Sequence, residues 1–144
     1  MPSSNITVGS FSVEGDGKFA KAKQRFLGGD LNWLTMLFRL ALVDPLLYEP
    51  DLLNDEFYST VPSGARLSLS DAITNKSVAA GACHGDPVVV PGYTGADAGL
   101  ALVIQDTGVA STSRLVTAHY FDPYTPTGNA IEVDVSGSGP YFVL

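Results

Sequence analysis

The chain has 144 residues, which is the length of one ordinary domain. Its 15 acidic residues outnumber 8 basic ones, and a net charge of −7 disfavours nucleic-acid phosphates and anionic lipid headgroups as partners. A hydrophobic fraction of 45% supplies enough apolar surface for a core and argues against disorder. We therefore expect a folded domain that binds neither nucleic acid nor membranes.

The lone cysteine, Cys83, excludes an intramolecular disulfide. No stretch approaches the roughly 20 apolar residues of a membrane span. The first residues also lack the basic and apolar regions of a signal peptide. The sequence therefore predicts a protein that is made in the cytoplasm.

Residues 1–17 predict an extended arm or an added strand. Four apolar residues, Ile6, Val8, Phe11 and Val13, recur there among Ser, Thr and Gly. They are too few to form a core alone, and a segment of this kind orders by adding to a sheet edge of its own chain or of a neighbour. We expect these four side chains to contact neighbouring subunits.

A helix is predicted over residues 18–27. Phe19 and Phe26 fall seven positions apart and therefore share one helix face. The pair Gly28-Gly29 predicts a left-handed C-cap that ends the helix. A short connector over residues 30–33 follows.

The apolar run over residues 34–43 has two interpretations, because periodicity does not separate a buried helix from a buried strand. The stop at Asp44-Pro45 favours a strand over residues 37–43. The Leu, Met and Ala content instead favours a helix through Met36. A proline-containing loop is predicted over residues 44–66, with one helical turn that begins at a capping Asn54.

After Gly64, short β-prone runs recur about every ten residues, which is typical of a sandwich or a barrel. The run over residues 100–104 has no polar member, so we expect a central strand that is covered on both faces. Apolar and acidic residues alternate over 131–135, so that strand should show one face to water. The predicted strands are residues 65–69, 77–83, 86–91, 100–106, 114–121, 130–135 and 141–144.

Candidate catalytic residues are few: Cys83 with the adjacent His84, and His119. Neighbours in a strand point to opposite faces, which disfavours a dyad of Cys83 with His84. Paired zinc-ligand spacings are absent, and Gly15-Asp16-Gly17-Lys18 lacks the remaining residues of a phosphate loop. We expect no metal, no cofactor and no catalysis; a small hydrolase that uses Cys83 or a carboxylate pair is the distant alternative.

The aromatic segment over residues 120–124 also has two interpretations. It is either a sugar-binding platform or a hairpin corner that packs against the core. The second is favoured, because such clusters are more often structural.

Several blocks, taken together in their order and spacing, resemble small β-rich virion structural proteins of tailed bacteriophages. The resemblance covers residues 18–144 and implies a jelly-roll-like antiparallel β-sandwich with one N-terminal helix and a strand over residues 37–43. It carries no active-site motif. The blocks are Lys18-Phe19, Phe26-Leu27-Gly28-Gly29-Asp30-Leu31-Asn32-Trp33, Leu40-Ala41-Leu42-Val43-Asp44, Glu56-Phe57, Val61-Pro62-Ser63-Gly64-Ala65-Arg66, Leu102-Val103-Ile104-Gln105-Asp106-Thr107-Gly108, Ser113-Arg114-Leu115-Val116 and Tyr141-Phe142-Val143-Leu144.

This resemblance implies a location in the virion and, first, a capsid decoration or cement protein that binds the major capsid protein lattice. Such a protein multiplies weak contacts over a symmetric surface. A homo-oligomer is expected, and by analogy with lattice-bound proteins a trimer. The alternative is a tail, baseplate or fibre component, with sugar-binding loops around Tyr93 or Tyr124.

Overall fold

The computed structural model describes residues 4–8, 17–135 and 140–144. These residues form a mainly β fold with one α-helix, as the sequence predicts. Two 3-10 helices, Tyr58–Thr60 and Ser63–Ala65, lie between the second and third strands. The helix is α1 (Ala20–Leu27), and the strands are β1 (Ser4–Val8), β2 (Phe38–Val43), β3 (Arg66–Leu69), β4 (Ser77–Ala79), β5 (Ala82–His84), β6 (Val88–Val90), β7 (Ala98–Gln105), β8 (Arg114–Tyr124), β9 (Ile131–Val135) and β10 (Phe142–Val143).

The strands form three sheets. The largest has the antiparallel order β3-β2-β7-β8. A second sheet has the order β1-β9-β6, in which β1 runs parallel to β9 and β6 runs antiparallel to it. The third, β10-β5-β4, is antiparallel. No helix in the described ranges is long and apolar enough to cross a bilayer.

Strand β7 is the centre of the core, as its composition predicts. Every residue from Leu100 to Ile104 is fully buried. The strand lies between β2 and β8 in the largest sheet, so both of its edges are hydrogen-bonded. The predicted central strand is therefore confirmed. In β9, Ile131 and Val133 are fully buried whereas Glu132 and Asp134 are partly exposed, which confirms the predicted alternation over these four residues.

The ambiguous apolar run resolves as a strand over Phe38–Val43. Leu40 to Val43 are fully buried, and β2 pairs with β3 and β7 along its two edges. Arg39 extends to the rim, where its Nε donates to Asp106 at 2.8 Å. The strand interpretation is confirmed, and the helix through Met36 is wrong because residues 33–35 form a turn and residue 36 a bend.

Helix α1 ends as the two glycines predict. Gly29 has a φ of +85°, and its amide donates to the Phe26 carbonyl while the Asp30 amide donates to the Arg25 carbonyl. This pair of bonds is a Schellman motif, which satisfies carbonyls that the helix end would leave free. On the buried face of the helix lie Phe19, just before the first turn, and Ala22.

The predicted strand over residues 77–83 is wrong, because this segment is a hairpin. Strands β4 and β5 pair antiparallel, with Ala79 opposite Ala82. The two residues between them, Ala80 and Gly81, have φ of +51° and +81°. Two successive positive φ angles define the type I′ turn that suits the twist of a two-residue hairpin. Alanine at the first position hides this turn from sequence reasoning.

The predicted helical turn that begins at a capping Asn54 is also wrong. The turn lies earlier, at residues 52–54, and Asp51 caps it. The Asp51 Oδ1 accepts hydrogen bonds from the Leu53 and Asn54 amides, each at 3.2 Å. Phe57 then bridges to Arg114, and a 3-10 helix begins only at Tyr58. An aspartate three residues upstream thus takes the role that the pattern assigns to Asn54.

Candidate binding surface

Cys83 lies in a setting that suppresses thiol chemistry. Its side chain is buried in β5, opposite Phe142 of β10. Burial raises the pKa of the thiol to about 11, so the reactive thiolate is scarce at neutral pH. His84 is the next residue of the strand and projects from the opposite face. The two side chains therefore do not form a nucleophile–base pair.

His119 lies on β8, in a different sheet from Cys83. It is fully buried, and its Nε2 lies 3.0 Å from the Thr117 hydroxyl. Burial lowers the pKa of the imidazole to about 4, so the ring is neutral near pH 7. Within residues 17–134, the structure places no three His, Cys, Asp or Glu side chains together as metal ligands. The sequence candidates for chemistry are thus not brought together.

The aromatic segment over residues 120–124 belongs to β8 rather than to a hairpin corner. Its packing against the core is as predicted, since Tyr120, Phe121 and Tyr124 contact buried residues. The hydroxyls of Tyr93 and Tyr124 are themselves buried and make no hydrogen bond with the described residues. Phenols held in this way do not offer a sugar an open polar platform.

The N-terminal strand pairs within its own chain. β1 runs parallel to β9, with Ile6 opposite Val133 and Val8 opposite Val135 in the backbone register. Phe11 and Val13 lie outside the described residues. The contacts of these four side chains with neighbouring subunits stay a prediction.

Exposed leucines mark a different surface. We use the name leucine loop for residues 44–55, which form two consecutive turns between β2 and the first 3-10 helix. Leu46 is 91% exposed, Leu53 is 70% exposed and Leu47 is 55% exposed. Single exposed leucines are ordinary, whereas three on one short loop make this loop a candidate interaction surface.

Hydrogen bonds hold the leucine loop in shape. The Asp44 amide donates to the Ala65 carbonyl at 2.9 Å, and the Asp44 Oδ1 accepts from the Leu46 amide at 2.9 Å. The Tyr48 hydroxyl donates to the Asp55 Oδ2 at 2.7 Å, which joins the first turn to the second. Burial and this bond raise the pKa of Tyr48, so the phenol remains a donor. The leucines are therefore presented on an ordered scaffold.

The leucine loop and its continuation are acidic. Residues 44–65 include five acidic residues and no Lys or Arg. Four of these acids lie within the leucine loop, whereas Glu56 is paired with Arg25 and Arg114. The loop therefore combines exposed leucines with acidic residues. The acidic residues are Asp44, Glu49, Asp51, Asp55 and Glu56.

A pocket opens beside the leucine loop. Its volume is about 330 Å³. It lies where the loop meets the start of β7 and the end of β8, and Gly99 makes this approach possible. A Cβ at Gly99 would lie only 2.9 Å from Cγ of Pro45. The lining residues are Asp44, Pro45, Leu46, Ala96, Asp97, Ala98 and Pro123.

A scan against protein-family models and a search of curated protein sequences each return no match.

Sequence reasoning identified residues 44–66 as a loop but missed this surface. The one signal of this surface in the sequence was the pair Leu46-Leu47, which stands between Pro45 and several acidic residues. A loop of this kind is otherwise expected to be polar. The pocket had no sequence signal, because Asp44 and Asp97 lie 53 positions apart and meet only through the fold.

Proposed function

We propose that the chain is a non-catalytic structural subunit that docks onto another protein through the leucine loop. The observation that carries this proposal is the exposure of Leu46, Leu47 and Leu53 on a loop fixed by hydrogen bonds. Fully burying one leucine side chain contributes about 1.5–3 kcal/mol. Three leucines, all more than half exposed, therefore leave several kcal/mol of binding free energy for a partner to recover.

The acidic character of the loop bears on the identity of the partner. If two copies met symmetrically through this surface, Glu49, Asp51 and Asp55 of one copy would approach the same residues of the other. Like charges in a desolvated contact oppose association. A different subunit with a basic and apolar surface is the better fit, and the expected homo-oligomer would then use another face.

We further propose that this assembly is a tailed-bacteriophage particle, with the chain as a decoration or cement protein on the major capsid protein. The support is the resemblance of residues 18–144 to virion structural proteins and the mainly β fold with a leading helix. A jelly-roll-like sandwich built from the three sheets is part of the same proposal. Repetition over a lattice would turn a weak leucine contact into stable attachment.

The non-catalytic part of the proposal has its own support. Cys83 is buried with a raised pKa, His119 is buried and neutral, and the two lie in different sheets. A nucleophile needs a base within hydrogen-bond reach, and neither residue supplies one for the other.

Cosedimentation with particles tests the docking surface. Particles grown without this gene are mixed with the purified full chain, and bound protein is measured after sedimentation. We expect saturable binding of the natural chain, and an affinity at least about tenfold lower for L46S/L47S/L53S, which is a loss of about 1.4 kcal/mol or more. Thermal unfolding should change little, because the replaced side chains are exposed.

A matched control replaces three exposed apolar residues elsewhere, in the variant L27S/V78S/V109S. These side chains are 85%, 51% and 56% exposed, which is close to the range in the leucine loop. The control should bind particles as the natural chain does. Equal binding by the leucine-loop variant, or equal loss in both variants, would contradict a docking role for this loop.

A further inference from the structure

We propose that the pocket beside the leucine loop receives a lysine or arginine side chain of the partner subunit. This inference rests on the proposed function, because it identifies the chemistry that the partner must bring to the same surface. Leu46 lines the pocket and is also the most exposed leucine of the loop, so the pocket and the docking surface are continuous.

The lining of the pocket combines apolar walls with carboxylates and contains no positive group. The apolar members are Pro45, Leu46, Ala96, Ala98 and Pro123. Lysine and arginine have matching chemistry, since an alkyl stem packs along apolar surface while the charged end group meets an acid. An anion would meet only negative charge here.

Both carboxylates are available to a cation. Asp44 uses Oδ1 to accept from the Leu46 amide, and across the described ranges neither Asp44 nor Asp97 pairs with a Lys or Arg. Asp44 is only 7% exposed, whereas Asp97 is exposed and open to a group that arrives from solvent. An incoming cation would compensate both negative charges.

Asp44 and Asp97 line the same pocket, and both also act on the pKa of Tyr93. Burial is the main reason that the pKa of Tyr93 rises to about 12, and the nearby Tyr124, Asp97 and Asp44 raise it further. The negative charges of Asp44 and Asp97 thus act on the same neighbourhood. Together they give the pocket a negative field that favours a cationic end group.

The pocket is also large enough to hold a single side chain. About 330 Å³ is near the lower end of the range for ligand pockets. Sugars and nucleotides are recognised through several hydrogen-bonding groups around the ring or phosphate, whereas the side chains of this lining offer two carboxylates among apolar groups. A partner side chain anchored between the leucines is the occupant that these features favour.

A titration of the isolated full chain tests the pocket directly. Backbone amide signals are followed by NMR while N-acetyl-arginine amide, N-acetyl-lysine amide or the neutral N-acetyl-citrulline amide is added. We expect the two cations to shift the amides of Leu46, Asp97 and Ala98 with a Kd on the order of 1 mM, which corresponds to about 4 kcal/mol. The citrulline compound has nearly the shape of arginine and should bind at least about tenfold more weakly.

Charge removal inside the pocket provides the second arm. In D44N/D97N the asparagine oxygen at position 44 can still accept from the Leu46 amide, so the turn is kept while both charges are lost. This variant should lose the arginine-amide shifts, whereas D30N/E132Q, with the same change in net charge outside both the pocket and the leucine loop, should retain them. Equal binding of citrulline amide, unchanged shifts in D44N/D97N, or no shifts at these amides in the natural chain would overturn the proposal.

The two proposals fail in different ways. If the leucine-loop variant sediments with particles normally while arginine amide still binds the pocket, the proposed function is rejected and the cation site stands. If the leucine-loop variant loses attachment but no cation binds, the pocket inference alone is rejected.

Discussion

At the scale of single residues, burial decides which side chains can do chemistry. Sequence reasoning could name Cys83 and His119 as the candidates, because reactive residue types are visible in any sequence. It could not establish whether these side chains are buried or ionised, because their burial depends on strands that are distant in the sequence. In the fold both are buried, one as a thiol and the other as a neutral imidazole. Their chemistry is thereby suppressed.

His119 gives the fold a measurable dependence on pH. The folded pKa of about 4 lies below the ordinary value of 6.5, so between these values the unfolded chain binds more protons than the folded one. The stabilisation is therefore complete above pH 6.5 and is lost as the pH falls towards 4, by about 3 kcal/mol in total. Urea unfolding at intervals between pH 7 and pH 4 measures this loss.

The variant H119Q separates this effect from the titration of carboxylates. It removes the imidazole and leaves every acid in place, so its free energy of unfolding should decline less steeply over the same pH range. Parallel curves for H119Q and the natural chain would show that His119 does not titrate as its burial requires.

At the scale of helices and strands, the sequence predicted the features that depend on neighbouring residues alone. The Gly28-Gly29 pair predicted the end of α1, because the C-cap needs a left-handed residue that only glycine adopts cheaply. The all-apolar composition of residues 100–104 predicted a strand covered on both faces. The β4–β5 turn was missed, because Ala80 holds a positive φ that its residue type disfavours. Tertiary pairing, rather than local preference, imposes that turn.

The turn at Ala80 predicts opposite effects of the same substitution at adjacent positions. A80G should stabilise the fold by about 0.5–1 kcal/mol, since relief of the left-handed strain exceeds the added flexibility of the unfolded chain. A79G should destabilise it by a similar amount, because Ala79 lies within β4 and glycine weakens strands. Both residues are exposed, so packing changes little. Urea unfolding measures the change in the free energy of unfolding for each variant. A destabilising A80G would contradict the type I′ turn.

At the scale of the whole molecule, the sequence predicted a mainly β fold, but not the surface on which the proposed function depends. An N-terminal arm was expected to make the contacts, through Ile6, Val8, Phe11 and Val13. The fold instead draws attention to the leucine loop, where exposure is a property of the completed structure. The pocket beside it needs Asp44, Asp97 and Pro123 to converge from three segments. No local pattern encodes that convergence.

Copy number in purified particles tests the central claim most directly. If the chain belongs to a tailed-bacteriophage particle as proposed, quantitative mass spectrometry would compare natural particles with particles whose gene for this chain carries L46S/L47S/L53S. A decoration protein docked through the leucine loop predicts roughly hundreds of copies per particle, set by the symmetry of the head lattice, and near-complete loss in the variant. A few to tens of copies would indicate the tail instead. Absence of the natural chain from particles, or an unchanged copy number in the variant, would contradict the account.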